Sequence, residues 1–351
     1  MSMRNIPHIE KTDKAFLEVI QGTGDVLVDI NDKGKDRNWG LKKKRSVKMY
    51  GIVERANEIQ KTTTGNPLLS VNTLVNMRDC GSVLIFNHYK DGSKKLDHAN
   101  FCRHRLCPMC NWRKSIKLFG QVSEIVSAIL ADKKARFIFV TFTVKNCTAD
   151  ELPDVLDALN EGFKKLTQKN KKFSSAKKLK KYLQGYMKAV EITYNAETDT
   201  FHPHIHAIFE ASPSYFSGNG YIKHDEWRTI WREALHLDYD PQVNVKTIDK
   251  EGAPDPGAVA EVAKYPVKVE SLLEIPDTET AARAVIVLQN TCYHRRFVTF
   301  GGDFREYAKM LKLDDVEKGD LVHVETDANA KESPVFQTLW KYNAKFGVYI
   351  N

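Results

Sequence analysis

The sequence predicts an α+β protein in which helices pack mainly on one face of an antiparallel sheet, beside a small cysteine-rich module. Phe137–Val144 is β-branched and aromatic, as central strands are. Ala189–Tyr194 and His204–Glu210 have the pattern of two strands joined by a turn, which indicates an antiparallel hairpin. Segments with helical spacing of apolar residues separate these strands, in the order strand, helix, hairpin, helix, strand, helix.

The chain divides into four predicted regions. Residues 1–48 form a weakly ordered basic arm, residues 49–114 a cysteine-rich region, residues 115–313 the sheet domain and residues 314–351 an acidic tail. Residues 33–48 contain eight basic residues and one acid. The arm is therefore either a solvated tail or a segment that lies along phosphates.

Helices are predicted where apolar residues recur every three to four positions. The first covers residues 116–129 and the second residues 152–166. A third contains Trp227 and Trp231, and a fourth begins near Gly257. These helices would form the layer that covers the sheet.

Composition limits the classes of partner and compartment. The 351 residues carry a formal net charge of +8 at pH 7, which favours a polyanionic partner such as DNA. No apolar run approaches the ~20 residues of a membrane span, and the first residues lack the apolar core of a signal peptide. We therefore expect a cytoplasmic protein without a membrane partner, in which clustered cysteines indicate metal rather than disulfides.

His204 and His206 are candidate metal ligands. Alternate side chains of a strand share a face, so the two imidazoles point the same way, about 7 Å apart along the backbone. Glu191, flanked by Val190 and Ile192 on the neighbouring strand, is the candidate third ligand, because an unpaired carboxylate there would be costly. An oxygen donor suits Mg²⁺ or Mn²⁺. The alternative is a chance pair of histidines at a sheet surface.

A second candidate group lies on the helix predicted after Gly257. Glu261 and Tyr265 are four residues apart and share one helical face with Lys264 and Lys268. A phenol can attack a phosphate to form a covalent ester, a carboxylate can deprotonate a second nucleophile, and lysines can hold phosphates. The alternative is an ordinary solvated face with a half-buried tyrosine.

Four cysteines have the spacing of a structural zinc site. Cys102, Cys107 and Cys110 form a tight knuckle, and Cys80 lies 22 residues before the first of them. Four thiolates would close a tetrahedral Zn²⁺ site. Ordinary buried cysteines or a redox-active pair are the alternatives.

Other side chains near this knuckle extend the prediction. Arg103, Arg105 and Arg113 flank the cysteines and are predicted to contact DNA phosphates. His98 and His104 are substitute metal ligands if Cys80 is too far away.

The combination of motifs resembles the replication initiators of small Gram-positive rolling-circle plasmids, within the HUH endonuclease superfamily. Phe139–Asn146 (FVTFTVKN) is similar to the family's first motif, His202–His206 (HPHIH) to the second and Glu261–Lys268 (EVAKYPVK) to the third. Phe101–Arg113 (FCRHRLCPMCNWR) matches its cysteine-rich segment.

The resemblance implies an HUH-type fold and an enzyme that nicks one strand of the plasmid's double-strand origin. Tyr265 would be the nucleophile that stays joined to the new 5′ end, and Glu261 would replace the second tyrosine of some relatives. His204 and His206 would bind the catalytic Mg²⁺ or Mn²⁺. The DNA would be single-stranded or a hairpin at the nick site, and a host helicase and polymerase would cooperate.

Two other interpretations stay open. A plasmid-transfer relaxase or a single-tyrosine transposase would use the same chemistry on another substrate. A non-catalytic, zinc-dependent DNA-binding regulator would not need Tyr265.

Overall fold

The fold alternates helices and strands, and the computed structural model describes residues 24–31, 34–170, 172–217, 220–250, 253–254, 269–324 and 333–351. The described helices are α1 Trp39–Thr64, α2 Val71–Asp79, α3 Pro108–Asp132, α4 Leu152–Thr167, α5 Lys177–Tyr182, α6 His224–Leu235, α7 Val269–Leu273, α8 Thr278–Cys292 and α9 Asp303–Met310. The described strands are β1 Val83–His88, β2 Lys94–Ala99, β3 Arg136–Thr143, β4 Leu183–Asn195, β5 Thr200–Ala211, β6 Val243–Thr247, β7 Asp249–Lys250, β8 Ala253–Pro254, β9 Val298–Gly302, β10 Phe336–Asn343 and β11 Val348–Ile350. Within these residues, no helix combines the length and the apolar character that a membrane span requires.

The larger sheet has the strand order β6–β3–β5–β4–β9, and every neighbouring pair is antiparallel. The predicted hairpin is present as β4 and β5, with Glu191 directly opposite His204. Asn195 begins the connecting turn, where its side-chain oxygen accepts a hydrogen bond from the Glu197 backbone N–H. Asp199 closes the turn with a φ of 50°. The predicted α+β class with an antiparallel sheet is confirmed.

Helices cover both faces of this sheet. On one face, Phe142 of β3 packs against Phe163 of α4 and Trp231 of α6. On the other face, Phe137 of β3 packs in a second core with α3 and with Phe304 of α9. The prediction that helices lie mainly on one face is therefore wrong. Both sets of alternating side chains on β3 are apolar, so a helical layer covers each face.

A smaller antiparallel sheet, in the order β11–β10–β1–β2, belongs to the cysteine-rich module. Leu84 of β1 lies opposite Trp340 of β10, and both pack in a core that includes Trp39, Tyr349 and the cysteines. Residues 336–350 were predicted to lie in an acidic tail. That prediction is wrong for these residues, because they pair with β1 and bury two aromatic rings.

Two predicted region boundaries fall inside helices. The boundary at residue 48 cuts α1, which begins at Trp39. The boundary at residue 114 cuts α3, whose first turn contains Cys110 and whose later residues pack on the larger sheet. The cysteine-rich module and the sheet domain therefore share these two helices.

Charged residues of the predicted basic arm and of the predicted acidic tail form hydrogen bonds with the folded protein. Lys43, in the predicted basic arm, is buried, and its ammonium donates to the backbone carbonyls of Arg78 and Cys80 at 3.0 and 2.8 Å. Asp314, at the start of the predicted acidic tail, accepts a hydrogen bond from Lys117 Nζ at 2.5 Å. Lys43 is therefore not solvated, and within the predicted acidic tail Val316, Leu321 and Val324 are buried although Asp314 is exposed.

Candidate metal centre

The hairpin of β4 and β5 brings Glu191, His204 and His206 together on one face of the larger sheet. His206 Nε2 lies 3.0 Å from Glu191 Oε2, and His204 Nε2 lies 3.6 Å from the same oxygen. The two Nε2 atoms are 3.2 Å apart. The strand register explains this convergence, because Glu191 is opposite His204 and His206 lies two residues further along the same face.

Each histidine is oriented by a contact at its other ring nitrogen. His204 Nδ1 donates to the backbone carbonyl of His202 at 3.2 Å, and His206 Nδ1 lies 3.1 Å from the hydroxyl oxygen of Thr141 on β3. The ring of Phe139 stacks against His206 with the centroids 5.6 Å apart. Both Nε2 atoms are thereby directed at the carboxylate, as in metal sites whose histidines are held by an outer shell. Sequence analysis missed Thr141. Its position two residues after Phe139 on a predicted strand places both side chains on the same face, and this spacing could have identified it.

The donors and their surroundings fit a divalent cation. Glu191 is 2% exposed and His204 is 9% exposed. Burial raises the pKa of the Glu191 carboxyl, but hydrogen bonds and charge from His204 and His206 outweigh burial and hold that pKa well below its usual range. Two imidazole nitrogens and one carboxylate oxygen would hold a cation and leave coordination positions open for other ligands.

The residues predicted to supply the nucleophile, its acid and two phosphate contacts lie outside the described residues: Tyr265, Glu261, Lys264 and Lys268. The next described helix, α7, begins at Val269. This helix packs against β4, which is the strand that carries Glu191. The roles of the four residues stay predictions.

The four predicted zinc ligands also converge. The sulfur of Cys80 lies 3.5 Å from the sulfurs of Cys107 and Cys110, and those of Cys102 and Cys110 are 3.7 Å apart. Sulfurs bound tetrahedrally at ~2.3 Å from Zn²⁺ lie about 3.8 Å from one another. Backbone N–H groups of residues 102–104 donate to these sulfurs at 3.2–3.4 Å. The spacing therefore fits a tetrahedral metal site made of cysteines alone.

Two buried lysines accompany the cysteine cluster. Lys43 and Lys114 are each 2% exposed, and they donate to the backbone carbonyls of Cys80 and Arg103 at 2.8 and 3.3 Å. Burial lowers the pKa of both ammonium groups, and the nearby sulfurs oppose that shift. Four thiolates around one Zn²⁺ carry two more negative charges than positive ones, so two buried ammonium groups would balance them. Sequence analysis missed both lysines, since nothing local separates them from solvated ones.

Comparison with known proteins identifies the family. A family model described as a replication protein, Rep_1, matches residues 93–350. The chain belongs to this family of replication proteins. Among its relatives, a "Protein rep" of Streptococcus pneumoniae is 38% identical over 309 residues, which are 86% of this chain and 88% of the relative. The similarity to plasmid rolling-circle replication initiators, predicted from the motifs, is confirmed.

Other relatives of this Rep_1 protein match over nearly the whole chain. A "Protein rep" of Bacillus amyloliquefaciens is 32% identical over 341 residues, which are 93% of this chain and 97% of the relative. A "Protein rep" of Lactiplantibacillus plantarum is 34% identical over 318 residues, which are 88% of this chain and 92% of the relative. No solved structure matches the chain.

The structure of this Rep_1 protein corrects one predicted DNA contact outright. Arg113 is 1% exposed, and its guanidinium donates to the backbone carbonyls of Leu321 and Val322 at 2.9 and 2.7 Å. The same guanidinium lies over the rings of Trp39 and Trp112. The prediction that Arg113 contacts DNA is wrong, because a phosphate could reach it only if this packing were lost.

The other two arginines beside the cysteines differ in their surroundings. Arg105 donates to the backbone carbonyls of Cys292 and Arg295 at 2.6 and 2.8 Å and lies over the ring of Phe297. The prediction that Arg105 contacts DNA is therefore wrong, because its guanidinium binds two backbone carbonyls of the folded protein. Arg103 is exposed, and its guanidinium makes a long hydrogen bond of 3.5 Å to the carbonyl of Lys318, so Arg103 stays a predicted DNA contact.

Proposed function

We propose that this Rep_1 protein initiates plasmid rolling-circle replication by nicking one strand at the double-strand origin, on an HUH-type fold. The observation that supports the proposal is the grouping of Glu191, His204 and His206 in a member of a replication protein family. Phosphodiester transfer needs charge stabilisation at the scissile phosphate. These three side chains offer a cation site for that purpose on a rigid hairpin.

In the proposed reaction, the phenolic oxygen of Tyr265 attacks the phosphorus, and the bond between the phosphorus and the 3′ oxygen breaks. The 5′ phosphate becomes an ester of the tyrosine. The phenol proton passes to solvent, and the 3′ oxygen takes up a proton to become the hydroxyl that primes synthesis. A divalent cation held by Glu191, His204 and His206 would stabilise charge on the phosphate and on the leaving oxygen.

At termination, Glu261 would accept a proton from the water or DNA hydroxyl that attacks the tyrosyl phosphate, and Tyr265 would be released. Lys264, Lys268 and Arg103 would hold phosphates of an origin strand that is unpaired or extruded as a hairpin. The cysteine cluster would hold structural Zn²⁺. The reaction would take place in the cytoplasm, where the host supplies a helicase and a polymerase.

A nicking assay on supercoiled plasmid that carries the cognate origin, with Mn²⁺ or Mg²⁺, tests the proposal. We expect relaxed plasmid with protein attached to the 5′ end, and loss of both products with Tyr265→Phe. Tyr293→Phe, which changes an exposed tyrosine, is the matched control. Normal nicking by Tyr265→Phe would overturn the assignment of the nucleophile.

The metal centre and the acid are tested in the same assay. His206→Ala should abolish nicking, whereas His98→Ala, at an exposed histidine of the smaller sheet, should not. Glu261→Ala should nick but terminate poorly. Undiminished nicking by His206→Ala would exclude the metal centre, and equal termination would remove Glu261 from the reaction.

A further inference from the structure

A cleft with a volume of about 570 Å³ opens directly beside the metal centre. Its floor contains Phe139, Thr141 and Thr143, which are alternate residues of β3, and it extends to the ring of His206. The start of α6 and residues 240–246, which include β6, also line the cleft. This volume lies within the range of small-ligand pockets, roughly 300–1,000 Å³.

The strand register places the side-chain amide of Asn244 in this cleft. Asn244 of β6 lies opposite Thr141, and Thr141 lies opposite His206. The three side chains form a row on one face of the sheet, so Asn244 is two strand spacings, roughly 10 Å, from His206. Asn244 is exposed, and its side-chain amide makes no hydrogen bond within the part of the chain that the structure describes. This amide can both donate to a ligand and accept from it.

The charges along the cleft favour an anion. Lys246, opposite Phe139 on β6, is exposed and forms no ion pair with any described residue. Asp240, the acid among the described lining residues, is paired with Arg232 at 2.9 Å. Arg228 also lines the cleft, and it is paired with Asp225 at 3.2 Å. A phosphate entering the cleft would therefore meet the free ammonium of Lys246 without a competing free carboxylate.

We infer that this cleft binds the unpaired deoxynucleotide next to the scissile phosphate, with Asn244 hydrogen-bonded to the edge of the base and Lys246 bound to a phosphate. The inference rests on the proposed function, since it takes the metal centre as the position of the scissile phosphate. Bases of an unpaired strand expose their hydrogen-bonding edges, which an amide side chain can distinguish, whereas contacts to phosphate carry no sequence information. The cleft therefore sets the base preference at one position beside the nick.

Binding to a randomised pool of single-stranded DNA oligonucleotides, without divalent cation, tests the inference separately from cleavage. Sequencing of the bound fraction gives the base preference of the wild type at each position. Asn244→Ala should lose about tenfold in discrimination at one position and keep the preference elsewhere. Asn244→Asp, which has a similar size but no donor, should change the preferred base at that position.

Salt dependence tests the phosphate contact. Lys246→Ala should reduce the slope of log affinity against log salt concentration by about 0.7, the value for one phosphate of a single strand. Lys341→Ala, at an exposed lysine of β10, is the matched control and should keep the wild-type slope. Melting temperatures should equal that of the wild type, since the side chains of Asn244 and Lys246 are exposed.

The outcomes separate this inference from the proposed function. An unchanged base preference in both Asn244 variants, or an unchanged slope in Lys246→Ala, would overturn the inference even if nicking by Tyr265 is established. A wild type that binds all sequences equally would overturn it as well. Nicking that persists in Tyr265→Phe would instead overturn the proposed reaction and leave the binding results intact.

Discussion

Replacing Arg113 by methionine should destabilise the fold without weakening the affinity for DNA. Methionine keeps an unbranched chain but removes the donors that serve the carbonyls of Leu321 and Val322 at 2.9 and 2.7 Å. A hydrogen bond to a charged group contributes about 1.5–3 kcal/mol. Loss of two such bonds lowers the free energy of unfolding by roughly 3–6 kcal/mol, since buried carbonyls lose their partner.

Thermal unfolding followed by near-ultraviolet circular dichroism measures this effect. For a chain of this size, 1 kcal/mol corresponds to about 1.4 °C in the melting temperature, so we expect a decrease of roughly 4–8 °C. Arg103→Met, at the exposed arginine of the same module, should melt like the wild type but bind single-stranded DNA less tightly. If Arg113→Met melted normally and its DNA affinity had a smaller salt slope, the reasoning would be refuted, because the guanidinium would then reach phosphate.

Three further predictions concern the metal sites and a buried charge. Thr141→Val should weaken Mn²⁺ binding about 10–100-fold in calorimetry, because it removes the hydroxyl beside His206 Nδ1, and Thr141→Ser should restore it; equal affinities in all three proteins would exclude this role. Cys110→Ser should release the zinc that elemental analysis finds in the freshly purified wild type, and a wild type without zinc would contradict the four-cysteine site. Burial lowers the pKa of Lys188 from 10.5 to about 8, so the folded state loses this proton before the unfolded state does, and the stability of the wild type rises between these pH values. Lys188→Met should therefore be more stable than the wild type near pH 7 by roughly 3 kcal/mol, which thermal unfolding would show as a higher melting temperature. This difference should shrink toward pH 10, and a difference that does not change with pH would contradict the burial argument.

The grouping of the metal ligands was predictable because it follows from strand periodicity and from the register of one short hairpin. His204 and His206 share a face on any strand, and the short turn after Asn195 fixes the hairpin register that places Glu191 opposite His204. The cysteine cluster was predictable for a similar reason, since three of its members lie within nine residues. Both predictions depended mainly on the spacing of residues that are close together in the sequence.

Features that depend on distant partners were not predictable. Arg113 is held by carbonyls that lie 208 and 209 residues later, and no local pattern separates it from the exposed Arg103. β10 buries only Trp340 fully, so its pattern does not stand out as a strand. The cleft beside the metal centre needs the pairing of β6 with β3, and Asn244 and Lys246 become informative only once that register is known.

The smaller sheet can form only late in the synthesis of the protein, because two of its strands lie near residue 340. β1 pairs with β10 although partners such as His88 and Thr338 are 250 residues apart, and the hydroxyl of Tyr349 donates to the carbonyl of Gly81. A growing chain would therefore carry β1 with one unpaired, aggregation-prone edge while the larger sheet folds. Ribosomes that stop before residue 336 would release chains that contain Tyr265 and the histidines but cannot close the smaller sheet. Completion of this sheet thus distinguishes molecules that contain residues 336–350 from shorter ones that lack them.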